Sequence, residues 1–360
     1  MKPVLFITGH VPAYRVGALE CLHDREGIEV ALFGGRSLHG GPEQPTALPF
    51  PNRSVAPREL LGLASSGSYR AVVCSTAGRV APVAGWAGAR RARVPVILWA
   101  SLWAHPRTAA HAVGYLVLRR LYASADAVVT YGPHVSEYVR ARGARNVHVA
   151  PQSVDNAFWR GGEPRSARYV EDSPGEALTR FLFVGRDAPE KGLGVLADAW
   201  REATPSLGGS TLVLAGGAPV PSALEGTETV AVGSLSREQL RELYGDSHVL
   251  IVPSTATSTF REPWGLVVNE AMNNGLAVIS SDAVGAAAGG LVRDGVNGLI
   301  VPAGDSAALA RAIERLAADP KLRRRLGAAG AVEVLGYSHE AWAEGFSEAL
   351  STLGLARTRW

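Results

Sequence analysis

Short, continuously apolar runs recur along the whole chain, and stretches with helical periodicity separate them. A strand that is apolar at every position has both faces covered, which is typical of parallel sheets flanked by helices. Alternating strands and helices favour right-handed crossovers and a doubly wound sheet. The runs that we predict as strands are residues 4–8, 30–33, 71–74, 94–99, 127–130 and 147–150, then residues 181–184, 211–215, 249–252, 277–280 and 299–301.

This alternation stops between residues 159 and 179, where Gly and Pro residues predict a linker, and it then starts again. A chain of 360 residues has the length of two domains. We therefore predict two Rossmann-like α/β domains, residues 1–165 and 177–337, and a helical segment, residues 338–360, that packs across the domain boundary. Residues 34–58 are rich in Gly and Pro and predict a long loop.

The composition is that of a globular protein, with 47% apolar and 19% charged residues. The only cysteines, Cys21 and Cys74, lie in apolar or helical settings, which excludes a disulfide scaffold. The sequence contains no C-x-x-C, His-x-x-x-His or Asp-x-Asp pattern. We therefore predict no metal site.

All but three of the 36 basic residues are arginines, and the net charge is only +3. The arginine clusters at residues 90–93, 119–120 and 323–325 lack interleaved aromatic residues, so we interpret them as solvated helix faces and expect no nucleic-acid partner. No secretory signal precedes the first strand, and no apolar run reaches the roughly 18 residues of a membrane span. We expect a cytoplasmic protein, with peripheral membrane contact left open.

The loop after the first predicted strand contains Gly9, His10, Tyr14 and Arg15. Ligands of doubly wound folds bind at the carboxyl ends of the strands, where this loop lies. The dinucleotide fingerprint G-x-G-x-x-G is missing, but Gly9 still allows close approach to the backbone. For His10 and Arg15, a packing role and a functional role both stay open.

The second domain opens with an apolar strand that delivers Arg186 to its carboxyl end, and Lys191 follows where the next helix starts. A cation at a helix start is mildly unfavourable, because it opposes the helix dipole. An arginine and a lysine that converge on one cleft suit a diphosphate. We predict an anionic ligand at this position.

Residues 262–272 have the sequence EPWGLVVNEAM. Pro263 suits the first turn of a helix, because its missing N–H would have no partner there. The backbone amides of Gly265, Leu266 and Val267 would then be free at a helix N-terminus, ready to bind an anion.

Glu262 precedes this predicted helix, and Glu270 lies on it. Eight helical residues rise roughly 12 Å. That separation suits one carboxylate that holds a sugar and another that holds a ribose, with a diphosphate between them.

These residues give the chain a family resemblance: it resembles the retaining GT-B glycosyltransferases of family 4, or glycosyl transferases group 1. The matching segments are residues 184–186, 189–192, 262–272, 277–282, 292–298 and 301–302, with looser matches at residues 12–15 and 150–155. The resemblance implies a GT-B architecture of the α/β class, in which two Rossmann-like, doubly wound parallel-sheet domains face across a cleft. Members often have an acidic residue shortly after the glycine at position 285, where this chain has alanines.

The resemblance implies a retaining, metal-independent glycosyltransferase of the hexosyl type. The enzyme would move a sugar from a nucleoside diphosphate sugar, with a UDP-sugar as our first guess, to a hydroxyl acceptor, and it would need no cofactor. Arg186 and Lys191 would bind the diphosphate and offset the charge that builds on it. Glu270 would bind the ribose hydroxyls, and Glu262 would hold hydroxyls of the transferred sugar.

Further roles follow from the same resemblance. The backbone of Gly233, Ser234 and Leu235 would face the nucleobase, and Gly9 would approach the donor. The family's active-site histidine follows a strand of the first domain, where His105 is our candidate; packing before Pro106 is the alternative.

We expect the acceptor, a small molecule, natural product or glycan, to contact the residues at the strand ends of the first domain: His10, Tyr14, Arg15 and Trp103. Two other functions stay open. A sugar-nucleotide epimerase of GT-B type would convert the donor without an acceptor, and a catalytically silent relative would only bind it. The sequence does not separate UDP from GDP or ADP, and it does not determine the acceptor or the oligomeric state.

Overall fold

The structure is a computed structural model of the 360-residue chain. It describes residues 1–34, 47–76, 78, 80–105, 109–161, 178–217 and 219–357, with the backbone alone for residues 109–113. The chain forms two compact units, of which the first consists of Met1–Asp155 and Tyr337–Trp360 and the second of Asn156–Gly336. The second unit begins at Asn156, before the end of the first domain that we predicted at residue 165.

The first unit is built on a parallel sheet with helices between its strands. The strands are β1 (Val4–Thr8), β2 (Ile28–Leu32), β3 (Asn52–Ser54), β4 (Ala71–Ser75), β5 (Val96–Ala100), β6 (Ala127–Thr130) and β7 (Val147–Val149). The helices are α1 (Ala13–Glu26), α2 (Leu60–Ala64), α3 (Ala81–Ala92), α4 (Ala109–Ser124) and α5 (Pro133–Arg140). The strand order is β3-β2-β1-β4-β5-β6-β7, so the order reverses between β1 and β4.

Both faces of this sheet are buried, as its continuously apolar strands predicted. Alternate residues of a strand point to opposite faces. Phe6 of β1 therefore packs in a core on one face, with Val4 and Val30, while Leu5 and Ile7 pack in a second core on the other face.

The second unit repeats the arrangement. Its strands are β8 (Arg180–Val184), β9 (Thr211–Ala215), β10 (Thr229–Gly233), β11 (Val249–Val252), β12 (Ala277–Ser281) and β13 (Leu299–Val301). Its helices are α6 (Asn156–Arg160), α7 (Leu193–Ala203), α8 (Arg237–Gly245), α9 (Val267–Asn273), α10 (Gly285–Ala288), α11 (Ser306–Ala318) and α12 (Pro320–Glu333). The strands are parallel in the order β10-β9-β8-β11-β12-β13, which is doubly wound and reverses between β8 and β11.

The last helix, α13 (His339–Thr352), belongs to the first unit and packs against α1, β6 and β7. Trp342 and Phe346 of α13 contact Phe6 and Trp99 through their rings, at centroid distances of 5.6–6.3 Å. A Cβ atom on Gly345 would lie 2.2 Å from the carbonyl oxygen of Val149, so glycine is needed for this close approach. The C-terminal segment thus completes the core of the first unit.

Two edge strands, β3 and β10, were not predicted from the sequence. All three residues of β3 are exposed, and the side chains of β10 are exposed or half-buried. The polar sequence of β3, Asn-Arg-Ser, has no apolar run, whereas β10 has only the short run Val230–Val232 before Gly233. The loop that we predicted over residues 34–58 therefore contains β3, while its residues 35–46, and residues 162–177 of the predicted linker, lie outside the described residues.

Within the described residues, no helix has both the length and the apolarity that crossing a bilayer requires.

Candidate functional site

The loops after β8 and β11 lie at the point where the strand order of the second sheet reverses. In doubly wound sheets this point, at the carboxyl ends of the strands, is where ligands bind. The loop after β8 holds Arg186 and Lys191, and the loop after β11 holds Glu262. The sequence-predicted cations and the first predicted acid therefore come from two adjacent strands.

Lys191 and Glu262 form an ion pair in which Nζ donates to Oε2 at 2.5 Å. The lysine side chain is 21% exposed, and the glutamate side chain 6%. Lys191 ends a 3-10 turn, and Gly192 follows it with a φ of +70°. A Cβ atom on Gly192 would lie 2.0 Å from the carbonyl oxygen of Pro253, so only glycine lets the two loops meet here.

Arg186 is bonded to a carboxylate that the sequence analysis did not single out. Its Nη2 atom lies 2.5 Å from Oε1 of Glu190, and its side chain is 45% exposed. The backbone amide of Thr255, in the loop after β11, donates to the carbonyl of Glu190 at 2.9 Å. The opposite charges four residues apart were the available sequence signal for this pair.

The loop that carries Glu262 is fixed to the start of α10. The amide of Gly285 donates to the carbonyl of Glu262 at 3.1 Å, and the amide of Ala286 donates to the carbonyl of Trp264 at 2.7 Å. A Cβ atom on Gly285 would lie 1.9 Å from the carbonyl oxygen of Pro263. Because Gly285 has no Cβ atom, the loop can approach the start of α10 closely. The hydrogen bond from the Gly285 amide then holds Glu262 in place.

The predicted start of the following helix was wrong. Helix α9 begins at Val267, with Leu266 at its N-cap, so Pro263 does not occupy the first turn. Gly265 has a φ of +91°, and this left-handed turn separates the buried Trp264 from the helix. The amides of Gly265, Leu266 and Val267 lie at and just before the helix start, and their binding of an anion stays a prediction.

Glu270 lies on α9, and its partner is a tyrosine that the sequence analysis missed. The hydroxyl of Tyr244, on α8, donates to Oε2 of Glu270 at 2.8 Å. Burial raises the pKa of Glu270 to about 7, against the lowering effect of Tyr244 and of the charge on Arg237. Nothing in the local sequence links positions 244 and 270, because the packing of α8 on α9 brings them together.

Glycines line the carboxyl ends of β8, β9 and β10. Gly216 and Gly217 both have positive φ, and a Cβ atom on Gly216 would lie 2.8 Å from the carbonyl oxygen of Gly185. The amide of Gly216 donates to the carbonyl of Gly233 at 2.8 Å, next to a shift of register in β10. Ser234 follows Gly233 at this edge. The segment predicted to face the nucleobase therefore lies next to backbone without side chains, at Gly216 and Gly217. The sequence analysis did not single out Gly216 and Gly217.

At the same segment, Gly233 has a φ of +72° and Leu235 is half-buried. Ser236 then caps α8 by accepting a hydrogen bond from the amide of Gln239. The roles of Gly233, Ser234 and Leu235 toward a nucleobase stay predictions.

In the first unit, the predicted residues lie at the carboxyl edge of its own sheet. The carbonyl of Gly9 accepts a hydrogen bond from the amide of Gly34 at 3.0 Å, and His10 is half-buried beside it. Tyr14 and Arg15 are on the first turn of α1. Their roles toward donor or acceptor stay predictions.

The guanidinium group of Arg15 is enclosed by aromatic rings. It lies 5.3 Å from the ring centroid of Tyr14, 5.4 Å from that of Trp99 and 5.1 Å from that of Trp342. Its Nη2 atom donates to the side-chain oxygen of Gln152, and the residue is 3% exposed. Arg15 thus has a packing role, and its role toward an acceptor stays a prediction.

His105 and Trp103 follow β5, at the same edge of the first sheet. Nδ1 of His105 lies 3.4 Å from the hydroxyl of Tyr138, and its ring packs edge-on against Tyr115 at 4.9 Å. Trp103 packs edge-on against His134 at 5.0 Å. Both residues have a packing role, and their functional roles stay predictions.

Among the described residues, no group of three or more His, Cys, Asp or Glu side chains is placed to hold a metal ion.

Residues 179–319 match the family model described as Glycosyl transferases group 1. The chain is 31% identical over 254 residues to alpha-maltose-1-phosphate synthase of Mycolicibacterium smegmatis, which covers 62% of this chain. It is 30% identical over 294 residues to D-inositol 3-phosphate glycosyltransferase of Nocardia farcinica, which covers 74% of this chain. The chain spans 63% of the length of each relative.

Among solved structures, the Anabaena protein HepE, crystallised with UDP and glucose, superposes with a TM-score of 0.75 at 18% identity, covering 98% of this chain and 100% of that one. Sucrose-phosphate synthase from Thermosynechococcus elongatus has a TM-score of 0.69 at 21% identity, with 98% and 99% covered. This likeness confirms the GT-B fold. Residues 179–319, within the second unit, form a domain of the family Glycosyl transferases group 1.

Proposed function

We propose that this chain is a retaining glycosyltransferase that moves a sugar from a nucleoside diphosphate sugar to a hydroxyl acceptor. The observation that carries the proposal is the Lys191–Glu262 pair at the switch point of the second sheet. A lysine ammonium has three N–H donors, and the bond to Glu262 uses one of them. The same cation can therefore orient an acid for the sugar and donate to a diphosphate.

In this proposal, Arg186 and Lys191 bind the diphosphate and stabilise the charge that develops on it as the glycosidic bond breaks. Glu262 holds hydroxyl groups of the transferred sugar, and Glu270 accepts hydrogen bonds from the ribose. The two cations supply the positive charge that a divalent ion supplies in other transferases, so we propose a metal-independent reaction. Retention, by attack on the face from which the phosphate leaves, rests on the family resemblance.

A UDP-sugar is the donor that we propose first, because the structural relative from Anabaena was crystallised with UDP and with UDP-glucose. The acceptor would bind at the edge of the first sheet, near His10, Tyr14 and Trp103, with His105 orienting the sugar or the acceptor. The compartment that we propose is the cytoplasm, where nucleotide sugars are made.

The test is calorimetric binding of UDP, GDP and ADP, followed by turnover of the matching nucleotide sugar with a panel of hydroxyl acceptors. Lys191→Ala and Glu270→Ala should each weaken binding of the nucleotide by tenfold or more, because each removes a charged hydrogen-bonding group worth about 1.5–3 kcal/mol. Lys321→Ala, at an exposed lysine on α12, is the control and should bind as the wild type does. Unchanged affinity in both folded variants would contradict the assigned site.

The turnover assay also separates the other two functions. NMR of the donor incubated without acceptor would reveal an epimerised sugar, if the chain is an epimerase. Donor consumption no faster than in buffer, with every acceptor, would point to a silent relative.

A further inference from the structure

Tyr244 lies in the last turn of α8 and is fully buried. Its hydroxyl donates to Oε2 of Glu270 at 2.8 Å. Trp159 of α6, itself 3% exposed, packs edge-on against the tyrosine ring at 5.7 Å. The ring is therefore held from one side by packing, and its hydroxyl is fixed on the carboxylate.

The direction of this hydrogen bond is also fixed. Burial, together with the charge of Glu270, raises the pKa of Tyr244 well above its ordinary value, so the phenol keeps its proton across the neutral range. When Glu270 is ionised, its carboxylate is therefore the acceptor. Tyr244 binds one carboxylate oxygen of Glu270, and this hydrogen bond fixes the direction in which the other oxygen points.

Of the described titratable groups, those that act on the pKa of Glu270 are Tyr244 and Arg237, both from α8. Arg237 stacks over the ring of Phe158 at 4.3 Å, so it acts on Glu270 through its charge and not through a direct bond. Tyr244 is the described group that both contacts the carboxylate and favours its ionised form.

We propose that Tyr244 is a positioning residue, which orients Glu270 toward the ribose hydroxyls and so makes the donor site selective for ribonucleotides over 2′-deoxynucleotides. The inference rests on the proposed function, because it assumes that Glu270 accepts hydrogen bonds from the ribose. A ribose diol donates two hydrogen bonds to an ionised and correctly oriented carboxylate, whereas a 2′-deoxyribose donates one. Without Tyr244, the carboxylate would be free to turn and less ionised near neutral pH.

The experiment compares UDP with 2′-deoxy-UDP by calorimetry in the wild type and in Tyr244→Phe, from pH 5.5 to 8.5. If the wild type binds ADP or GDP instead, the ribo and deoxy forms of that base serve as the pair. Phenylalanine keeps the ring packing and removes only the hydroxyl. Tyr69→Phe is the matched control, because it removes another tyrosine–glutamate hydrogen bond, 3.0 Å to Glu29, in the first unit.

We expect Tyr244→Phe to weaken UDP binding about tenfold at pH 7 and 2′-deoxy-UDP binding only about threefold, because the deoxyribose donates one hydrogen bond to Glu270 where the ribose donates two. The pH at which UDP affinity reaches half its maximum should also move upward, because removal of the donor raises the pKa of Glu270. Tyr69→Phe should match the wild type in both respects.

Two outcomes would overturn the inference. In the first, Tyr244→Phe keeps the preference of the wild type for UDP over 2′-deoxy-UDP and the same pH of half-maximal UDP affinity. In the second, Tyr244→Phe loses affinity for UDP and 2′-deoxy-UDP equally. Failure of the proposed function is a different result, in which the wild type binds no nucleoside diphosphate. In that case the coupling of Tyr244 to Glu270 is still tested without ligand, by the pH dependence of thermal unfolding. An identical dependence in the wild type and Tyr244→Phe would then reject it.

Discussion

The cations at the carboxyl edges of the two sheets are stabilised in different ways. In the second unit, Lys191 and Arg186 are each bonded to a carboxylate at 2.5 Å. In the first unit, Arg15 is 3% exposed, and within the described part of the chain no carboxylate lies within ion-pair distance of it. Its charge faces three aromatic rings and one amide oxygen instead.

This contrast determines how the carboxyl edge of each sheet can bind an anion. A partly exposed cation in an ion pair keeps further N–H donors for a ligand, and its carboxylate sets its direction. A guanidinium surrounded by rings is attracted to their faces, and each ring contributes only about 0.5–2 kcal/mol. The cations at the edge of the second sheet are thus partly exposed and paired with carboxylates, whereas the charge of Arg15 is buried among aromatic rings.

The largest effect that this comparison predicts is on the buried acid of the second unit. Glu262→Ala should lower the free energy of unfolding by about 3–5 kcal/mol, because it leaves Lys191 without its partner in a largely buried site. Chemical denaturation of the two proteins measures the loss. The double variant Lys191→Met/Glu262→Leu should recover most of it, and a single variant as stable as the wild type would show that the pair does not hold the loop.

The next effect concerns Glu270, whose nearest partner is a tyrosine rather than a cation. Its pKa of about 7, raised from 4.5, means that the folded state retains a proton that the unfolded state releases. Stability should therefore fall as pH rises from about 4.5 to about 7, by roughly 3 kcal/mol.

Thermal or urea unfolding across this range measures the effect, and Glu270→Gln should remove the fall. Glu242→Gln, at an exposed position of α8, is the control and should keep it. A Glu270→Gln profile parallel to that of the wild type would rule out a strongly raised pKa.

A smaller effect is expected at Arg15. Arg15→Met should leave the free energy of unfolding unchanged or raise it by about 1 kcal/mol, because a buried cation without a counter-ion costs more to desolvate than ring contacts return. Denaturation measures this against Arg70→Met. Arg70 is also buried but bonds Glu26 at 2.9 Å, so its loss should cost about 3 kcal/mol. Equal losses in the two variants would mean that the rings replace a counter-ion in full.

The smallest effect on stability is expected at Arg186, whose side chain is 45% exposed. Arg186→Ala should change the free energy of unfolding by less than about 1 kcal/mol, as exposed pairs contribute little. Calorimetry should nevertheless show weaker nucleotide binding, about tenfold, because the guanidinium donates to the diphosphate in the proposed site. A stability loss without an affinity loss would make Arg186 a structural residue.

The positions of the central strands and the family follow from the amino-acid sequence alone. Buried central strands such as β1 and β8 are apolar at nearly every position, and this pattern depends on neighbouring residues only. The motif at residues 262–272 is likewise a continuous stretch of sequence. It was therefore enough to identify Glu262 and Glu270 as candidate site residues. The edge strands β3 and β10 were not predicted, because β3 is polar and the apolar run of β10 is only three residues long.

Which groups become partners depends on tertiary packing. The bonds of Lys191 to Glu262 and of Tyr244 to Glu270 join residues 71 and 26 positions apart, and they form because separate elements pack together. The burial of Arg15 depends on Trp342, which returns to the first sheet from the far end of the chain. Local sequence specifies which charges a chain has, but burial and long-range packing set the partner, the exposure and the pKa of each one.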